Sequence, residues 1–146
     1  MSRAALALGG LVLAAGTAAA APAPASAEAL LDRFAANSAT LDVAAQAALF
    51  APDAAFFGSS VPGLLRGPEG ARGYFAEAWA KASPGTMTCE VQSWRQPSPD
   101  LVLVSAWCRL VRPERTAQLR LSGAAQRGPD GWRFAELHVS AAPAPR

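Results

Sequence analysis

From Thr86 to Pro143 the chain alternates apolar and polar residues with a period of two. The pattern breaks at three places: Pro97-Ser98-Pro99-Asp100, Pro113-Glu114 and Gly128-Pro129-Asp130-Gly131. A period of two places successive side chains on opposite faces of an extended backbone. Proline, glycine and aspartate between such runs mark turns. The pattern predicts four strands, 86–96, 101–112, 116–127 and 131–143, joined as a meander. A sheet of this kind has an apolar face, and another layer must cover it.

The covering layer lies upstream. Residues 28–37 set Leu30, Leu31, Phe34 and Ala35 on one stripe of a helix that Asn37-Ser38 is expected to end. A second helix is expected over 43–50, with Asp42 or Thr40 as its N-cap, stopped by Ala51-Pro52-Asp53. Residues 54–57 read as a short strand closed by Gly58-Ser59-Ser60, and a loop or small hairpin runs on to Arg66. Gly67-Pro68-Glu69 opens a third helix, since proline fits the first turn and an acid suits its positive end. Ala71, Tyr74, Phe75, Ala78 and Trp79 supply its apolar side. The fold class is α+β: three N-terminal helices packed on a curved antiparallel sheet.

The first residues are set apart from this domain. Met1-Ser2-Arg3 is a short basic start, the stretch to Ala20 is uncharged, and Ala25-Ser26-Ala27 precedes Glu28. This is the pattern of a secretory leader. A cut after Ala27 is expected, leaving a domain over 28–143 and a tail at 144–146; Ala18-Ala19-Ala20 and the Ala-Pro run are weaker cut sites. The apolar run falls short of the ~20 residues a spanning helix needs, so no membrane association is expected after the cut. The product would be secreted or periplasmic. A net charge of +2, lowered by one when Arg3 leaves, argues against a nucleic-acid partner, which wants a basic stripe.

An exported chain with two cysteines has an even count in an oxidising compartment. If Gln96 faces Leu101 across the first hairpin, Cys89 lies directly opposite Cys108. The two are therefore expected to form a disulfide.

The final strand carries His138, the sole histidine. Strict alternation puts Trp132, Phe134, Glu136, His138 and Ser140 on one face. Two rings with an acid, an imidazole and a hydroxyl suit a lined pocket better than a packed core. His138 could serve as a general base, its unperturbed pKa of ~6.5 being near working pH, with Glu136 pairing or orienting it. The opposite face, Ala135, Leu137 and Val139, would pack against a second subunit. Phe34, Phe57, Tyr74, Trp79 and Trp94 are the candidate cavity walls, beside His138; Trp107 is a further aromatic to place. Asp53 is expected to order its turn. Arg109, Arg112, Arg115 and Arg120 form either a solvated face, a dimer rim or an anion site. One histidine and no carboxylate cluster give no metal-ligand spacing. Phosphate loops and nucleophile elbows are absent, so neither metal nor cofactor is expected.

Three stretches carry a family resemblance. Leu49-Phe-Ala-Pro-Asp-Ala-Ala-Phe-Phe-Gly58, Gly67-Pro-Glu-Gly-Ala-Arg-Gly-Tyr-Phe75 and Gly131-Trp-Arg-Phe with His138-Val-Ser-Ala-Ala-Pro143 resemble the SnoaL-like proteins of the nuclear transport factor 2-like superfamily. The last resembles the branch related to the calcium/calmodulin-dependent kinase II association domain. The resemblance implies a cone-shaped α+β barrel with a cavity between sheet and helices, and frequently a dimer. Family members include cyclases, isomerases, dehydratases and hydrolases. In the related ketosteroid isomerases a carboxylate after the first strand is the base and a tyrosine on the first helix donates to the oxyanion. The matching positions here are Gly58 and Phe34, which can do neither. The expected function is an exported, homodimeric domain that binds a small, largely apolar molecule without a strong catalytic set. The alternative is a lyase-, isomerase- or cyclase-type enzyme using His138 with Glu136.

Overall fold

The computed structural model describes residues 22–143; most of the expected leader and the tail at 144–146 lie outside the described residues. The elements are α1 (Ala27–Thr40), α2 (Val43–Ala47), β1 (Phe50–Phe57), β2 (Leu65–Arg66), α3 (Gly67–Trp79), β3 (Thr86–Ser98), β4 (Leu101–Arg112), β5 (Arg115–Gly128) and β6 (Gly131–Ala141). One open six-stranded sheet has the order β2-β1-β6-β5-β4-β3. The α+β architecture is as expected. The sheet is mixed, however, because β1 runs parallel to β6 while the other pairs are antiparallel.

Local chemistry explains most element ends. Asp42 caps α2, its Oδ1 accepting the Ala45 N–H at 2.9 Å. Pro68 sits in the first turn of α3. Asn37-Ser38 does not end α1. Ser38 is buried and the helix continues to Thr40, ending at Leu41 with φ 64°. The second helix is shorter than expected and the first strand longer, because Phe50 leaves the helix to pair with Phe134. Pro52 is accommodated inside β1 because the pairing with β6 lapses between Phe50 and Ala55, where no ladder N–H is needed.

Cys89 and Cys108 are disulfide-bonded and register partners, with Cα atoms 4.1 Å apart. The hairpin that aligns them is tighter than expected, for Ser98 rather than Gln96 faces Leu101. β3 absorbs the difference in two irregularities, one between Val91 and Ser93 and one between Arg95 and Ser98. The loop the bridge closes has a sequence separation of 19, worth about 3 kcal/mol in the chain-entropy view.

The core lies between the helices and one face of the sheet. Phe34 of α1 meets Phe134 edge-on at 5.8 Å, and Phe50, Phe56 and Phe75 pack around them. Each fully buried Phe or Leu side chain contributes roughly 1.5–3 kcal/mol.

β6 departs from strict alternation. Ala124 of β5 faces Glu136 and Ala125 faces Phe134, so Ala135 is an extra residue, a β-bulge. One extra residue exchanges the two faces beyond it. Trp132 and Phe134 point to the core, and after the bulge Leu137 and Val139 do. Glu136, His138 and Ser140 therefore lie on the outer face, away from the helices. The expectation that Glu136 and His138 line a helix-covered cavity is thus corrected. So is the expectation that Leu137 and Val139 face a second subunit.

Candidate functional site

A cavity of about 580 Å³ lies between α1, α3 and the inner face of the sheet. Phe34, Phe56, Phe75 and Trp79 wall one side, with Met87, Leu110, Leu119 and Val139 from four strands on the other. Alternation within each strand points these side chains inward. Trp79 continues the ring cluster from Phe75, at 4.8 Å.

Exposed charged groups, Glu77, Lys81, Glu114 and Arg115, edge the cavity, and Tyr74 and Arg112 are the polar groups fixed by hydrogen bonds. The Ser59 N–H donates to the Tyr74 hydroxyl at 3.0 Å, and the Ser59 and Tyr74 hydroxyls are 3.1 Å apart. The Tyr74 ring lies against Gly58 so closely that a β-carbon there would come within 2.2 Å of it. The position that matches the isomerase base therefore has no room for a side chain, and Tyr74 occupies the space.

Arg112 forms the other polar wall. It is only 6% exposed. Its Nη1 donates to the Ser83 carbonyl and its Nη2 to the Ser38 carbonyl, both at 2.8 Å. Burial pulls its pKa below the ordinary arginine value; Glu114 opposes the shift and Arg115 adds to it. The Ser83 N–H donates to Glu114 at 3.0 Å, which holds that carboxyl below the usual range. Ser38 Oγ in turn accepts from Gln46 Nε2 at 3.1 Å. Gln46 Oε1 is buried without a partner among the described residues. Gln46, Ser38, Arg112 and Ser83 thus tie α2, α1, β4 and the α3–β3 loop together. This network was not legible in the sequence, apart from one signal. Arg112 falls in phase with Val102, Val104, Ala106, Cys108 and Leu110, all buried.

Of the expected wall residues, Phe34, Tyr74 and Trp79 line the cavity. Phe57, Trp94 and His138 are not among its lining residues, and this corrects their expected position. Phe57 is 42% exposed and meets the His138 ring edge-on at 6.0 Å. Trp94 packs against the core beside its partner Val104. His138 borders a shallow outer depression with Ser105, Trp107, Arg120, Ser122 and Ser140. The arginines do not form one cluster. Arg112 points inward, Arg109 and Arg120 lie on the outer face, and Arg115 is exposed at the β4–β5 hairpin.

The arrangement suits binding of an apolar body with a small polar end. Acid–base chemistry by His138 and Glu136 has no access to the cavity, because the sheet stands between them.

Comparison with known proteins agrees with this architecture. The model of the SnoaL-like domain matches residues 27–145. No curated protein matches the chain in sequence. Among solved structures, a protein of Thiobacillus denitrificans described as a calcium/calmodulin-dependent protein kinase type II association domain is 19% identical. The alignment covers 84% of this chain and 100% of that one, with a TM-score of 0.73. A Xanthomonas campestris protein of the same description is 22% identical over 86% of this chain and 95% of its own, with a TM-score of 0.67. A ketosteroid isomerase-like protein of Erwinia carotovora atroseptica is 15% identical over 80% and 94%, with a TM-score of 0.69. At such identities the likeness is one of fold, and a shared fold does not transfer an activity. Fold and sequence profile agree over nearly all of the described residues, and the chain belongs to the SnoaL-like family.

Proposed function

We propose that this protein is an exported SnoaL-like domain that binds a small, largely apolar molecule in the cavity between α1, α3 and the sheet. The carrying observation is the cavity, about 580 Å³ and walled by aromatic and aliphatic side chains, with the Tyr74–Ser59 pair as its polar anchor. Its size falls in the range of small-molecule pockets. Export is supported by the paired cysteines. No described helix is long and apolar enough to cross a membrane.

The environment-sensitive dye 1-anilinonaphthalene-8-sulfonate is a suitable probe. Saturable fluorescence enhancement is expected for the wild type. Ala78→Trp, which adds bulk at an exposed position on the cavity rim, should weaken it at least tenfold, and His138→Ala should leave it unchanged. Loss of binding in His138→Ala but not in Ala78→Trp would move the site to the outer face.

The same reading includes a homodimer formed through the outer face. Trp107 stands 44% exposed there. Glu90, Trp107 and Arg120 lie side by side on neighbouring strands. Opposite charges flanking a large ring suit a self-complementary two-fold contact.

A further inference from the structure

Residues Pro22 to Ala27 stand where the sequence predicts the end of a leader, yet they are built into the domain. The Trp132 N–H donates to the Pro24 carbonyl at 2.8 Å. Gly131, at φ +127°, approaches that carbonyl so closely that a β-carbon would lie 2.5 Å from it. Ser26 caps α1: its Oγ accepts the Ala29 N–H at 3.1 Å and its carbonyl accepts the Leu30 N–H at 3.0 Å. Arg33 reaches back from α1 to the Pro22 carbonyl. Pro24 is among the fully buried residues, and Ala27 belongs to the core. A chain beginning at Glu28 would lose all of these ties. It would also place an ammonium group at the positive end of the α1 dipole, where positive charge is unfavourable.

We propose that Pro22 to Ala27 is a strap of the folded domain, and that the leader is removed between Ala20 and Ala21. The cut site rests on the export reading above. Leader-cutting peptidases require small residues one and three positions before the cut. Between the apolar run and Glu28, alanine fills both positions for cuts after Ala20, Ala21, Ala23, Ala25 and Ala27. Cuts after Ala21 and Ala23 fall on bonds to Pro22 and Pro24, whose nitrogens are tertiary and ring-locked. Cuts after Ala25 and Ala27 discard Pro24. The cut after Ala20 alone avoids a prolyl bond and keeps the strap whole. In that step water adds across the Ala20–Ala21 amide: the C–N bond breaks, the hydroxyl goes to the Ala20 carbonyl carbon and the proton to the Ala21 nitrogen.

The full-length chain, expressed with its own leader in a bacterium with a periplasm, tests both parts. N-terminal sequencing and intact mass of the periplasmic protein should give a start at Ala21. Ser26→Ala in the same chain should lower the melting temperature by about 3–6 °C through loss of the cap. A start at Glu28 overturns the cut site. An unchanged melting temperature in a Ser26→Ala chain that starts at Ala21 overturns the strap. Cytosolic protein that still begins at Met1 or Ser2 overturns the export reading and the cut site with it. The melting comparison then still decides the strap.

Discussion

Arg112 shows how much one side chain's position depends on its neighbours. By type it belongs with the exposed arginines around it, but the phase of β4 turns it inward. Its two donors satisfy the carbonyls of Ser38 and Ser83, which close one end of the cavity. Removing the guanidinium leaves both carbonyls without a donor, and an unmade buried hydrogen bond costs about 1–3 kcal/mol. Relief of the arginine's own desolvation offsets part of that. Arg112→Met should therefore lower the unfolding free energy by about 2–4 kcal/mol, read as a lower urea midpoint at unchanged slope. Arg112→Lys should fall between, since an ammonium cannot span both carbonyls as the planar fork does. Equal midpoints for all three chains would mean that the network contributes nothing to stability.

At the scale of the element, the bulge at Ala135 is the decisive feature. It lets β6 bury Trp132, Phe134, Leu137 and Val139 while Glu136, His138 and Ser140 remain outside. Without it the acid and the imidazole would enter the core and two aliphatic residues would leave it. Deletion of Ala135 restores strict alternation and should destabilise the domain by more than about 4 kcal/mol, enough to leave much of the chain unfolded. Ala135→Gly, which keeps the extra residue, should cost no more than about 1 kcal/mol. Circular dichroism with urea titration distinguishes the two, and a deletion chain as stable as the wild type would mean that register is held elsewhere. The sequence does contain a signal for the bulge. The large apolar residues of β6 are at 132, 134, 137 and 139, so one step between them is three residues instead of two. β3 shows the same irregularity, where Val91 is followed by Trp94. Strict alternation, read through those steps, assigns the wrong face to everything beyond.

For the whole molecule, the sheet presents one covered and one open face. The proposed two-fold contact uses the open one. Trp107→Glu should convert a dimer to a monomer in sedimentation velocity at micromolar concentration, with little change in monomer stability because the side chain is exposed. A wild-type chain that sediments as a monomer at that concentration would end the dimer reading.

The existence and order of the helices and strands, the cap at Asp42 and the proline start of α3 follow from local signals, whereas the pairing of Cys89 with Cys108 depends on two irregularities in β3 that the expected hairpin did not contain. Periodicity, turn chemistry and cap chemistry act over a few residues, so they can be read along one dimension. The faces of β3 and β6, the inward turn of Arg112, the closing of Gly58 by Tyr74 and the strap on Trp132 depend on register between distant strands and on contacts between elements. Those are fixed by which combination buries the most apolar surface without stranding a polar group. The sum over all elements makes that choice, and no single stretch of the chain carries it.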